Sequence, residues 1–164
     1  MSKYLHIVGR KNHGKTTLVV DLVAEFCRRD VRVGTIKHSC HQHDLDTPGK
    51  DSYLHRHAGA NPAAIVTADT LGVFLRREPR ADFYALLAPL FTDCDLVLVE
   101  GDIAATGLKV EVWRAAAGAT CLASERPDIA AVVSDDAPAI AVPVWPRSDV
   151  ATLADRMLTL ARRR

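Results

Sequence analysis

Gly9-Arg10-Lys11-Asn12-His13-Gly14-Lys15-Thr16 matches the pattern G-x-x-x-x-G-K-[ST] at every fixed position. The flanks agree with it. Leu5-His6-Ile7-Val8 reads as a short buried strand, and Val19, Leu22, Val23 and Phe26 fall at helical spacing just after the loop. Strand, glycine loop, lysine and helix together make a phosphate cradle. Glycines let backbone N–H groups wrap phosphate oxygens, and a helix N-terminus adds free donors and partial positive charge. The expected nucleotide contacts are Gly9, Lys11, Asn12, His13, Gly14, Lys15, Thr16 and Thr17. Lys15 reaches the β- and γ-phosphates, and the Thr16 hydroxyl holds Mg²⁺.

A second stretch supports the first. Asp95-Leu96-Val97-Leu98-Val99-Glu100-Gly101 is an apolar run of the kind that forms a fully buried central strand. Glu100 ends it, placed to hold Mg²⁺ through water, since it is one methylene longer than the usual Asp. Gly101 lets backbone approach the γ-phosphate. A third stretch, Lys37 to Asp51, is polar and dense in histidine and aspartate. All seven histidines lie within the first 57 residues, and His38, His41, His43, His55 and His57 sit in or just after this loop. Three readings stay open for it. It is a switch loop whose Asp44, Asp46 or Asp51 contacts Mg²⁺, a transition-metal site, or a solvated loop. Base selectivity has the least support, because N-K-x-D is absent. Asp135, at the end of an apolar strand, is the candidate, against a plain turn at Asp136-Ala137-Pro138.

Bulk composition bounds the rest. A length of 164 residues predicts one domain. Apolar residues make up 48% and charged ones 25%, an ordinary globular balance. The net charge of +1 gives no reason to invoke nucleic acid or a membrane surface. Arg162-Arg163-Arg164 complements the dipole of a final helix. Cys27, Cys40, Cys94 and Cys121 form no C-x-x-C and read as reduced thiols of a cytoplasmic protein. Met1-Ser2-Lys3 leads straight into the first strand, leaving no room for a signal peptide.

The remaining elements follow in order. Val31 to Ile36 alternates as a strand, and Asp51-Ser52 caps a short helix through Ala58. Ala63–Ala68 and Leu71–Leu75 are two strands, and Ala81 to Phe91 is a helix. Lys109–Trp113, Ile129–Val133 and Ile140–Val144 are strands, with a loop from Arg114 to Pro127. Ser148 or Asp149 caps a helix bearing Val150, Leu153, Ala154, Met157, Leu158 and Ala161 on one face. The alternation predicts a three-layer α/β P-loop NTPase fold with a mainly parallel sheet and a strand-rich middle insertion.

These stretches resemble the molybdopterin-guanine dinucleotide biosynthesis adapter (MobB) family. The resemblance lies in Val8 to Thr17, Val33-Gly34-Thr35-Ile36-Lys37-His38, Asp44 to Tyr53, His55 to Ala60, Asp95 to Gly101 and Lys109 to Val112. The block Asp44-Leu45-Asp46-Thr47-Pro48-Gly49-Lys50-Asp51-Ser52 is far more specific than the phosphate loop. After Gly101 the chain departs from the family pattern, with Asp102-Ile103-Ala104-Ala105. The resemblance implies a homodimeric, GTP- and Mg²⁺-binding protein with weak GTPase activity. It implies a partner, the MobA-type guanylyltransferase that joins GMP to molybdopterin. With neither an arginine finger nor a glutamine in evidence, hydrolysis without a partner is expected to be slow. The competing readings are a small-molecule kinase with Arg76-Arg77-Glu78-Pro79-Arg80 as its lid, and a metal-chaperone GTPase.

Overall fold

In the computed structural model, residues 3–41, 45–79 and 81–162 are described. Asp44, His43, Arg80 and Arg163-Arg164 therefore lie outside the described residues, as do Met1-Ser2. The chain divides into two compact units, one of residues 1–39 and 90–164, the other of residues 40–89.

The first unit is a six-stranded sheet in the order β2-β5-β1-β6-β7-β8. Its strands are β1 (Tyr4–Val8), β2 (Val33–Lys37), β5 (Leu96–Glu100), β6 (Leu108–Val112), β7 (Ile129–Val133) and β8 (Val144–Trp145). Every neighbouring pair is parallel. β5 is buried at all five positions, the environment its unbroken apolar run predicts. Register fixes which residues lie side by side. Ile7 lies opposite Glu100, Val8 opposite Glu111, and Lys37 opposite Glu100.

Helix α1 (Lys15–Arg28) buries Leu18, Val19, Leu22 and Phe26. Helix α4 (Val150–Arg162) buries Leu153, Ala154 and Met157. Asp149 is its cap, accepting the Thr152 N–H at 3.0 Å. Both helices share one core with Leu5, Ile7, Leu96, Leu98, Val110 and Val133. Each large side chain removed from water there contributes roughly 1.5–3 kcal/mol. Strand alternation sends His6, Lys109 and Glu111 to the opposite face, and these too are buried. The buried charges are matched. The Lys109 ammonium meets Asp128 at 2.9 Å, and Glu111 accepts the N–H groups of Leu122 and Ala123 at 2.8 Å each.

The second unit contains α2 (Asp51–His57), β3 (Ala63–Val66), β4 (Leu71–Phe74) and α3 (Phe83–Leu87). β3 and β4 form an antiparallel hairpin, with Ala63 opposite Phe74.

Several local expectations shift. Asp51-Ser52 does not cap α2. The cap position is Lys50, and the Ser52 hydroxyl donates to Asp46 instead. The expected helix from Ala81 to Phe91 starts at Phe83 behind an Asp82 cap. It ends in a 3₁₀ turn over Ala88–Phe91, where Pro89 cannot supply a helical N–H. The expected strand Ile140–Val144 shrinks to Val144–Trp145, because Pro143 has no N–H to give a ladder. Val31 precedes β2 rather than joining it.

Candidate functional site

The glycine loop Gly9–Gly14 joins the C-terminal end of β1 to the start of α1. Gly9 has φ +141°, and a Cβ there would stand 2.5 Å from the Val112 carbonyl oxygen. Only glycine lets the loop leave β1 against β6. Asn12 takes a left-handed φ of 67°, which asparagine tolerates better than most residues. Gly14, with φ 91°, stands at the N-cap of α1 and offers no side-chain cap. The first N–H groups of a 14-residue helix therefore face the loop. Gly9 to Thr16 thus has the shape of an anion cradle.

Four side chains gather at this end of the sheet. The Lys15 ammonium donates to the Arg10 carbonyl at 2.7 Å. Burial pushes its pKa below the ordinary lysine value, with Glu100 opposing that shift. The Thr16 hydroxyl donates to Glu100 Oε1 at 2.8 Å. The Lys37 ammonium, from the end of β2, pairs with the same oxygen. Glu100 is only 6% exposed, and its carbonyl accepts the His38 N–H at 3.0 Å. Gly101 is pinned by its N–H to the Ile7 carbonyl at 2.9 Å. Its φ is +95°, and a Cβ would lie 3.0 Å from the His38 oxygen. Thr16, Glu100 and Gly101 are therefore brought together as the sequence suggested. Lys37 was not singled out in advance, since nothing local distinguishes it from any lysine ending a strand.

Lys11, Asn12, Thr16 and Thr17 are exposed, whereas His13 is buried at 1%. His13 Nδ1 accepts the Arg114 N–H at 3.1 Å, so its proton sits on Nε2. Desolvation holds its pKa below the usual histidine value. The Arg114 guanidinium lies against the cradle. A Cβ on Gly14 would come within 2.5 Å of its terminal nitrogen. Arg114 also escaped the sequence reading, because it simply follows an alternating strand.

Asp46 is engaged within the second unit. Asp46 accepts the Thr47 N–H at 2.9 Å and the Ser52 hydroxyl at 3.1 Å, with the Arg56 guanidinium at 4.0 Å. It thereby fixes the segment that leads into α2. Asp51 opens α2 and is exposed. His57 stacks on Tyr53 with ring centroids 4.0 Å apart. Among the described residues, no three His, Cys, Asp or Glu side chains converge into a metal site. A cavity of about 440 Å³ in this unit is lined by residues including Arg56, Asn61, Phe74 and Arg76, none of them from the cradle.

At the end of β7, Asp135 Oδ1 accepts both the N–H and the hydroxyl of Ser148, at 3.0 and 3.1 Å. These bonds, the backbone one foremost, hold its carboxyl below the usual range. Asp136 Oδ2 accepts the Ala115 N–H at 2.8 Å.

The family model described as "Molybdopterin guanine dinucleotide synthesis protein B", MobB, matches residues 4–135. The chain belongs to the MobB family. That span holds the cradle, Lys37, Glu100, Gly101 and Arg114. The molybdopterin-guanine dinucleotide biosynthesis adapter protein of Escherichia coli (strain K12) is 34% identical over 152 residues, covering 87% of this chain and 83% of that one. The Haemophilus influenzae adapter is 39% identical over 99 residues, 59% of this chain and 55% of its own. Among solved structures, a MobB homolog from Bacillus stearothermophilus superposes with a TM-score of 0.71 at 30% identity, over 99% of this chain and all 100% of that one. Another MobB crystal structure gives 0.69 at 25% identity, covering 97% and 99%. The mainly parallel α/β architecture of P-loop NTPase type is thus shared with MobB structures. No helix among the described residues is long and apolar enough to cross a membrane.

Proposed function

We propose that this MobB-family chain is a GTP-binding adapter that assists attachment of GMP to molybdopterin, beside a MobA-type guanylyltransferase. It works as a homodimer in the cytoplasm and hydrolyses GTP weakly. The observation that supports nucleotide binding most directly is the convergence at the ends of β1, β2 and β5. The backbone cradle Gly9–Gly14 and Lys15 receive the phosphates, and Thr16 and Glu100 stand together at 2.8 Å. This donor set suits Mg²⁺, a hard cation that takes hydroxyl and carboxylate oxygens. Bound Mg²⁺ supplies charge neutralisation along the phosphate chain. The residues themselves do three things. Loop N–H groups orient the phosphates, Lys15 exchanges the Arg10 carbonyl for a phosphate oxygen, and Lys37 holds the Glu100 carboxylate in place.

The adapter role is supported by the names of the relatives in Escherichia coli and Haemophilus influenzae. Slow hydrolysis fits a protein whose nucleotide state governs docking rather than turnover. The test is a titration of fluorescent GTP and ATP analogues with Mg²⁺ against wild type and Lys15→Ala. Wild type is expected to prefer GTP, and the substitution to abolish binding. Equal binding by the two proteins would sink the cradle reading.

A further inference from the structure

A cavity of about 220 Å³ opens at the C-terminal ends of β6 and β7, lined by Trp113, Arg114, Ala116, Asp135, Asp136 and Arg147, among others. It is smaller than the ~300–1,000 Å³ of sites that enclose whole drug-sized ligands. It suits a flat heterocycle whose substituents continue outside. Hydrogen bonds tie its wall to the phosphate cradle. Arg114 N–H reaches His13 Nδ1 at 3.1 Å, and the next N–H, of Ala115, reaches Asp136 Oδ2 at 2.8 Å. The backbone of Asp136 is fixed in turn, its N–H donating at 3.0 Å to the hydroxyl of Ser134, which is 3% exposed. The indole of Trp113 is anchored by its N–H to the Ala119 carbonyl at 2.8 Å.

The two acids are not equivalent. Asp135 Oδ1 already takes two donors from Ser148, so that side chain serves the loop entering α4. Asp136 takes one donor on Oδ2 and is registered to the cradle through Ala115, Arg114 and His13. The arginines differ as well. Arg147 is paired with Asp21, while no carboxylate pairs with Arg114 among the described residues. The Arg114 guanidinium lies beside Gly14.

We propose that this cavity is a guanine pocket, in which Asp136 reads the base edge and the Arg114 guanidinium covers the base face. The inference rests on the nucleotide reading of the cradle and deepens it. Guanine presents N1–H and the 2-amino group as adjacent donors, and a carboxylate is a two-oxygen acceptor. Adenine presents an acceptor at N1 and no 2-amino group, so the same carboxylate disfavours it. A planar guanidinium stacks on aromatic faces without needing a particular base. Asp136 thus supplies selectivity and Arg114 supplies affinity. The arrangement performs what N-K-x-D does elsewhere with a different local sequence.

The test is calorimetric titration of GTP, XTP and ATP, each with Mg²⁺, into wild type, Asp136→Asn, Asp135→Asn and Arg114→Ala. Xanthine carries a carbonyl where guanine carries the 2-amino group, so an amide side chain favours it. Asp136→Asn is expected to lose about ten- to hundred-fold in GTP affinity and to gain XTP affinity by a similar factor. A gain cannot come from misfolding. Asp135→Asn is expected to keep the wild-type order, and Arg114→Ala to weaken GTP and XTP alike. Inversion in Asp135→Asn instead, or an unchanged preference in Asp136→Asn, overturns the assignment. Wild type binding GTP and ATP equally overturns the pocket and leaves the cradle standing. Wild type binding no nucleotide overturns the cradle reading, and the pocket with it.

Discussion

Thr16 Oγ1 donates to Glu100 Oε1 at 2.8 Å across 84 residues of chain. The Lys37 ammonium converges on the same oxygen. β5 lies between β2 and β1 and runs parallel to both, so register sets this meeting: Lys37 and Glu100 are register partners, and Glu100 lies opposite Ile7.

Glu100→Gln keeps the shape and removes the charge. The Mg²⁺ dependence of GTP affinity is expected to weaken about 10–100-fold, the usual cost of losing a group that orients or charges a metal site. Affinity without Mg²⁺ is expected to stay the same. Superimposable Mg²⁺ titrations for the two proteins would remove Glu100 from the metal site.

Gly9→Ala places a Cβ 2.5 Å from the Val112 carbonyl oxygen at φ +141°. Strain of this kind costs on the order of 1–3 kcal/mol, and the contact with backbone cannot be relieved by a rotamer change. Gly118→Ala is the comparison, with φ +70° and nothing within 4 Å of the added carbon. Urea denaturation is expected to show the larger loss for Gly9→Ala. Equal losses would mean that the loop relaxes away from β6.

Cys121 is buried, and desolvation together with its bond to Glu111 pushes its thiol up to about 12. A raised pKa keeps the proton on in the folded state. The associated stability is complete below the ordinary thiol value of 9.0 and is lost as pH rises toward about 12. Native alkylation at pH 8, read by mass spectrometry, should therefore modify the exposed Cys27 and Cys40 and spare Cys121. Rapid labelling of Cys121 in folded protein would contradict the buried thiol–carboxylate contact.

Much of the sheet unit was legible residue by residue. The run from Leu5 through Thr16 to Phe26 announces strand, cradle and helix, because each signal is local: turn glycines, a lysine, and apolar spacing at 3.6 residues. β5 and α4 were equally plain. Shorter elements were not. Pro143 and Pro89 cut back elements whose apolar residues alone suggested more. Asp46 looked like a metal ligand by its residue type, and in the fold it accepts from Ser52 and Thr47 within its own unit.

The chain alone settled the glycine loop between strand and helix, that strand and helix themselves, and the family, since these depend on contacts within a few residues or on an uninterrupted pattern. Tertiary structure settled which distant groups join that loop. Lys37 arrives through β2–β5 pairing, Arg114 through its N–H to His13, and Asp136 through Ala115. The physical reason is register. Local preference sets where a strand begins and ends, but the neighbour order β2-β5-β1-β6-β7-β8 sets which strand ends share one edge. That order depends on how the whole sheet buries its apolar face under α1 and α4, and no short stretch of sequence encodes it.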